Sequence, residues 1–221
     1  MSIKNHIIKI SKPTLLTILA IVLIPVMSVS AATLGTLRRW SSDWNQVGRW
    51  GSTVSTIPTS IYISKLNSSG TFYFASGMDS GISKWNSAMG ISMKSVAYVS
   101  GSVPVLYYGG TISQINALGI TTLTAGTTGY NKITSTNEGA WAFGSYLYSG
   151  MKMSKDIGFI VDRGAYDSSV YVNTCMHELG HTIGWIGHAP SNTDVMYAYN
   201  DLINLTLTLT DKDQVLQVYG K

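Results

Sequence analysis

Histidine is scarce in this chain, and three of its four histidines lie in one short stretch. His177, His181 and His188 fall close together, and Glu178 directly follows the first of them. His177 and His181 are four residues apart, so on a helix they lie one turn apart on the same face. Two imidazoles placed in this way can bind one metal ion, and the adjacent glutamate can reach a water molecule at that ion. The pattern therefore predicts a metal centre that performs hydrolysis.

Zinc is the metal that this set of donors predicts. Three neutral histidine nitrogens leave the fourth zinc position open for water, as in catalytic sites. Zinc lowers the pKa of such a water towards about 7, and Glu178 is expected to take its proton as general base and to pass it to the leaving amine. Gly184 permits a turn that brings His188 back as the third ligand. Asp194 and Asp201 remain open as alternatives for that ligand.

The elements that must position these residues follow from capping signals and apolar patterns. Asp167 or Ser168 can cap a helix through Ile183, and Gly184 lies where a helix C-terminal glycine would end it. Two further helices are predicted over residues 79–89 and 211–219. Strands are predicted within residues 59–74, 91–99, 103–108, 120–125 and 157–162, and long loops within residues 126–155. Strands followed by a long helix and a terminal helix indicate an α+β domain.

The chain begins with features typical of a secretory signal peptide. Three lysines and no acid precede an apolar run over residues 15–27, and Val29 and Ala31 fit the −3 and −1 positions of a cleavage site. The run is shorter than the about 20 apolar residues that a spanning helix needs. We therefore expect residues 1–31 to be removed and the protein to be secreted.

Composition excludes several classes for the rest of the chain. Of 221 residues, 45% are hydrophobic, which rules out a wholly disordered chain. Three of the 15 basic residues lie in the leader, which leaves 12 against 11 acidic ones and no electrostatic argument for nucleic acid. We expect residues 32–54 to form an N-terminal arm or a short pro-segment and residues 55–221 to form the catalytic domain. The mature protein is expected to be monomeric and free of the membrane.

Residues 177–196 resemble the signature of the metzincin zinc peptidases, H-E-x-x-H-x-x-G-x-x-H followed by a Met-turn. The residues that match it position for position are His177, Glu178, His181 and Gly184. His188 lies eleven residues after the first histidine instead of ten, and Gly187 occupies the expected position. A one-residue bulge at residues 185–187 can absorb the difference. Met196 fits the Met-turn beneath the metal.

The matrixin branch of that family is the one the chain looks most like, both around Met196 and at residues 209–220. The resemblance implies a metzincin-like fold, with a twisted mixed β-sheet, three helices and an active-site helix that carries the HExxH motif. It implies one catalytic zinc ion, and a structural calcium ion is compatible with it. It also implies a peptide that lies extended along an edge strand above the zinc, which we place near residues 120–125.

Three functions are compatible with these residues. The first is a secreted zinc endopeptidase that acts on protein or peptide substrates, with Glu178 as general base. The second is a non-catalytic zinc protein of the same fold that binds cell walls. A surface rich in tyrosine and tryptophan favours this second function, and the intact Glu178 argues against it. The third is a zinc amidase that cleaves non-protein amide bonds.

Overall fold

The computed structural model describes residues 46–143, 146–164, 166–198 and 203–220, with only the backbone of Gln46 and Tyr146. All of these residues belong to one compact unit. The predicted leader and the first part of the predicted arm lie outside the described residues. In the part of the chain that the structure describes, none of the helices has the length and apolar character needed to cross a membrane.

Within the described ranges, six strands form one mixed sheet. They are β1 (Gln46–Arg49), β2 (Ser60–Lys65), β3 (Lys94–Val96), β4 (Val105–Gly110), β5 (Gly129–Phe143) and β6 (Tyr146–Val161). Strands β3, β2, β4 and β6 are neighbours in that order and pair in parallel. Strand β1 pairs in parallel with the first half of β6, while β5 pairs with β6 in the antiparallel sense along the opposite edge. The sheet is therefore mixed, as predicted.

The long hairpin of β5 and β6 corrects two of the predictions. Residues 126–155 were expected to contain long loops because they are rich in glycine, threonine, serine and tyrosine, but they hold most of this hairpin. Residues 120–125 form no strand, because the Asn116 side chain bonds both the amide and the carbonyl of Leu123 (2.7 and 3.0 Å) in place of a neighbouring strand. Strand β5 is an edge strand instead, because its second edge pairs with no other described strand.

In the described residues, four α-helices and a short 3-10 helix (Val54–Thr56) accompany the sheet. The α-helices are α1 (Phe74–Met89), α2 (Ile112–Asn116), α3 (Ser168–Thr182) and α4 (Leu209–Val218). The three longer helices were predicted, whereas the short α2 was not. Helix α1 begins at Phe74 rather than at residue 79, because the aromatic side chains expected to form a strand there, Phe72 and Phe74, are buried and stack at 5.6 Å. Helix α4 begins after Thr208, whose hydroxyl accepts a hydrogen bond from the Asp211 amide.

Successive residues of the central strands point to opposite faces of the sheet, and each face has its own apolar cluster. Ile160 belongs to the larger cluster, with residues of α1, α3 and α4. Its neighbours Phe159 and Val161 belong to a smaller cluster with Ile115 of α2. Helix α3 is thus held on one face of the sheet.

Helix α3 is also fixed by close packing against α1. A Cβ at Gly77 would lie 3.1 Å from the Cys175 sulfur, and a Cβ at Gly81 would lie 2.9 Å from the Leu179 side chain. These glycines let the two helices approach closely. The Trp85 indole, fully buried between the helices, donates a hydrogen bond to a carbonyl of α3 at 2.8 Å.

Candidate active site

Helix α3 carries the HExxH motif, and both of its ends are defined by the sequence. Asp167 accepts a hydrogen bond from the Ser169 amide at 2.8 Å and caps the helix, as predicted. Beyond the last turn, the amides of Gly184 and Trp185 bond back to helix carbonyls at 3.0 and 2.9 Å. This pair of bonds is a Schellman motif, with the glycine in a conformation of positive φ.

The structure brings the three predicted histidines together. One possible ligand atom from each of His177, His181 and His188 lies within 4.8 Å of the other two. The longer spacing to His188 is accommodated by two glycines in the intervening turn, Gly184 with φ of 111° and Gly187 with φ of 91°. Three imidazole nitrogens at this separation fit a zinc ion with an open fourth position.

Backbone carbonyls orient two of the rings. The Nδ1 atom of His177 lies 2.9 Å from the Val195 carbonyl oxygen, and that of His181 lies 2.7 Å from the Trp185 carbonyl oxygen. A carbonyl only accepts hydrogen bonds, so each Nδ1 must carry the proton. The Nε2 atoms of both rings are therefore the free, unprotonated nitrogens that a metal requires.

The predicted Met-turn lies directly against the motif helix. The side chain of Met196 occupies the space that a Cβ at Gly180 would need. The amides of Val195 and Met196 donate to the buried carboxylate of Asp211 in α4 at 3.1 and 3.3 Å. The Ala189 amide donates to the Met196 carbonyl at 2.7 Å. Helix α4 thus fixes the segment that supplies the carbonyl partner of His177.

Burial keeps the three histidines uncharged. Desolvation lowers the pKa of His177 to about 4, and it also lowers the pKa values of His181 and His188. Close neighbouring histidines lower the pKa of the first two further. A metal binds the neutral form of histidine, so the site is prepared for an ion at neutral pH without the loss of protons.

Glu178 lies beside this triad in an environment unusual for a carboxylate. Its side chain is 4% exposed, and its Oε2 atom has no hydrogen-bond partner among the described residues. Burial raises its pKa, and the nearby carboxylate of Asp156 raises it further. Its Oε1 atom lies against Gly129, the first residue of the edge strand β5. Such a group readily holds a proton, which is the property that a general base needs.

The alternative third ligands stand apart from the triad. Asp194 is buried, but it does not belong to the group of side chains that could share an ion; its Oδ1 atom accepts a hydrogen bond from the Thr208 hydroxyl at 2.7 Å. Asp201 lies outside the described residues. The described structure therefore favours His188.

Sequence reasoning missed two residues next to Glu178. Gly129 is one of 22 glycines, and nothing in its local sequence marks its contact with the carboxylate. Asp156 is a fully buried carboxylate in the middle of β6. It precedes an apolar run, and a charge at that position of a strand was the available signal.

Replacement of Gly129 by alanine should impair catalysis more than folding. The added Cβ would collide with the Glu178 side chain from Cγ to Oε1, so the carboxylate must shift. A displacement of a catalytic group by about 1 Å can cost on the order of a hundredfold in rate. We expect a loss of this size in kcat/KM for peptide hydrolysis, with little change in melting temperature. Gly70→Ala is the matched control, because a Cβ there meets nothing within 4 Å.

The described end of the predicted arm packs on the turn after α3. Strand β1 pairs with β6, and the Gly48 carbonyl lies against Gly184. The Trp50 indole donates to the Thr182 carbonyl at 2.6 Å, which satisfies one of the last carbonyls of α3. The Trp50 amide donates to the Tyr219 hydroxyl at 3.2 Å. Residues 46–50 thus support the turn between His181 and His188.

This packing predicts where the chain can be shortened. A form that begins at Gln46 should fold and bind zinc, whereas a form that begins at Ser55 should lose β1 and the Trp50 contacts. A loss of about 3 kcal/mol lowers the melting temperature of a domain of this size by roughly 10 °C. Thermal denaturation and zinc titration of the two forms test this. Equal stability of the two forms would contradict the prediction and would favour a removable pro-segment.

Comparisons with known proteins gave limited similarity. No family model matches the sequence, and no curated protein matches it. A crystal structure of myroilysin is 13% identical over 80% of this chain and 90% of its own, with a TM-score of 0.39. A second structure of myroilysin is 12% identical over 78% of this chain and 96% of its own, with a TM-score of 0.41. The likeness is a loose one, so the function of the chain depends on what its own site residues can do.

Proposed function

We propose that the protein is a secreted zinc endopeptidase of the metzincin type, matrixin-like in the loop that carries His188 and Met196. The observation that carries the proposal is the convergence of three histidine nitrogens within 4.8 Å, with the buried Glu178 on the same helix. The three histidines would hold the zinc ion. When bound, zinc supplies a Lewis acid that polarises the scissile carbonyl and makes water a stronger acid.

The chain's own contribution to the reaction comes from Glu178. Its carboxylate takes a proton from the attacking water at one Oε atom and later donates that proton to the leaving amine. Burial favours its protonated form, so it can hold the proton between the two steps. No lysine or arginine among the described residues forms an ion pair with it.

The substrate is expected to bind to β5. This strand pairs only with β6 among the described strands, which leaves one row of backbone amides and carbonyls for an added strand. An extended peptide can pair with such an edge, whereas a compact non-peptide amide cannot. Because β5 begins at Gly129 against Glu178, a peptide along this edge would pass close to the general base. The edge strand therefore favours an endopeptidase over an amidase.

Metal dependence is the first test of this function. The protein without residues 1–31 is incubated with casein and with mixed peptides, with and without a zinc chelator, and zinc is then added back. We expect cleavage that the chelator abolishes and zinc restores. Cleavage of peptidoglycan amide bonds alone would identify the amidase alternative. No hydrolysis by folded, zinc-loaded protein would favour the non-catalytic wall-binding alternative.

Sequencing the N-terminus of secreted material tests cleavage after Ala31.

A further inference from the structure

Four polar side chains from four elements meet in the interior next to the last turn of α3. They are Tyr107 of β4, Asn131 of β5, Asp156 of β6 and Thr182 of α3, and we call them the Asp156 cluster. The Thr182 hydroxyl donates to Asp156 Oδ2 at 2.6 Å and lies 2.6 Å from the Tyr107 hydroxyl. The Asn131 amide donates to the same Asp156 oxygen at 2.7 Å. The cluster thus joins the motif helix to the edge strand.

A glycine in β6 leaves the space through which the Tyr107 side chain reaches the other members of this cluster. Gly158 of β6 pairs with Tyr107 on one side and with Asn131 on the other. A Cβ at Gly158 would collide with the Tyr107 ring, so the ring lies across β6 in the space that the glycine leaves. The Tyr107 hydroxyl thereby lies 3.3 Å from the side-chain nitrogen (Nδ2) of Asn131, on the far side of β6.

Stability alone does not account for the Asp156 cluster. Asp156 is completely buried, and no described lysine or arginine forms an ion pair with it. Burial raises its pKa to about 7, although Thr182 and Asn131 both donate hydrogen bonds to it. Well-packed apolar side chains would fill such a position at lower cost. Asn131 Oδ1 and Asp156 Oδ1 have no hydrogen-bond partner among the described residues, but the bonds that the cluster does make tie its four elements into one arrangement.

We propose that Asp156 and Thr182 are positioning residues that hold the edge strand β5 in register against helix α3. Asn131 lies two residues after Gly129 on β5, so both residues are on the strand face that meets α3. Gly129 contacts Glu178, and Asn131 is bonded to Asp156. The strand cannot slide along the helix without breaking these bonds. The inference rests on the proposed function, because it concerns where a bound peptide lies relative to Glu178.

Three variants of the full mature chain separate this role from general packing. Thr182→Val removes the central hydroxyl at nearly constant volume, and Thr182→Ser keeps it. Thr174→Val is the matched control, because Thr174 is also buried in α3 but its hydroxyl bonds to Val170 within the same helix. The measurements are hydrogen exchange of the amides of residues 129–134, kcat and KM for a peptide, zinc affinity and melting temperature.

The backbone amides of β5 are expected to exchange hydrogen with solvent at least tenfold faster in the Thr182→Val variant than in the Thr174→Val variant. Its kcat should fall about ten- to a hundredfold with unchanged zinc affinity, as for the loss of other supporting contacts around catalytic groups. Thr182→Ser should keep most of the wild-type protection of the β5 amides and most of the wild-type kcat. Because Asp156 and Thr182 act as one unit, the double variant Asp156→Ala/Thr182→Val should lose no more than the worse single variant.

Equal exchange of β5 in Thr182→Val and Thr174→Val would overturn the proposal. A fall in kcat that follows a loss of bound zinc would also overturn it, since the effect would then arise at His181. The exchange comparison needs no catalysis. If the wild-type protein hydrolyses no peptide, the proposed function fails, while faster exchange confined to Thr182→Val would still support the positioning role.

Discussion

Replacement of Glu178 by glutamine should lower kcat for peptide hydrolysis by about a thousandfold while zinc remains bound. General-base catalysis contributes on the order of 10² to 10⁴ in rate, and glutamine cannot accept and then return a proton. The amide has nearly the volume of the carboxylate, so the contact with Gly129 is retained. The measurement is steady-state hydrolysis of one peptide, with the zinc content of each preparation determined in parallel.

Glu138→Gln is the matched control for this substitution. Glu138 lies on the hairpin, 39% exposed, with its carboxylate 3.9 Å from the Lys152 amine. An exposed pair of this kind contributes little to stability, so the control should keep full activity. Full activity in Glu178→Gln would contradict the assigned role and would require another group to take the proton.

Stability measurements distinguish a catalytic loss from a folding defect in this experiment. A buried carboxylate without a partner is costly, and Glu178 Oε2 has none among the described residues. Glutamine has no charge to bury, so the metal-free variant should be at least as stable as the wild type. A loss of activity together with a raised or unchanged melting temperature would support a role in the reaction itself.

The motif helix and the convergence of the three histidines could be predicted from the sequence because they depend on local spacing. The distance from His177 to His181 places both on one helix face, and Asp167 and Gly184 mark the ends of that helix. The sequence also predicted that a local turn would accommodate the longer spacing to His188, since that turn lies within the same segment. Each of these inferences uses contacts between residues that are close in the chain.

The edge strand and the Asp156 cluster could not be predicted, because both depend on pairing across the sheet. Strand β5 is polar and is stabilised by its partner β6 rather than by apolar alternation. Tyr107 and Thr182 are 75 residues apart, and only the order of the strands brings them together. Residues 120–125 show the opposite error, because a segment that was expected to be a strand is held by the Asn116 side chain instead.

Replacement of His188 by alanine should weaken zinc binding on the order of a thousandfold. Zinc sites in small domains have apparent binding free energies of about 10–16 kcal/mol, so losing one of three protein ligands removes several kcal/mol of that total. His188 is only partly buried, and it follows a turn that is already held by the contact between His181 and the Trp185 carbonyl. The fold should therefore survive the change, which competition titration with a chelator and a thermal scan can verify.

Asp194→Asn tests whether the third zinc ligand is Asp194 rather than His188. If Asp194 were the third ligand, its amide form would lose zinc and His188→Ala would not. The structure gives Asp194 a different partner, the Thr208 hydroxyl at the start of α4, so Asp194→Asn should affect the melting temperature rather than the zinc affinity. Loss of zinc from His188→Ala alone means that a spacing of eleven residues builds the same three-nitrogen site as a spacing of ten. Peptide hydrolysis should then fall with zinc occupancy in His188→Ala and persist in Asp194→Asn.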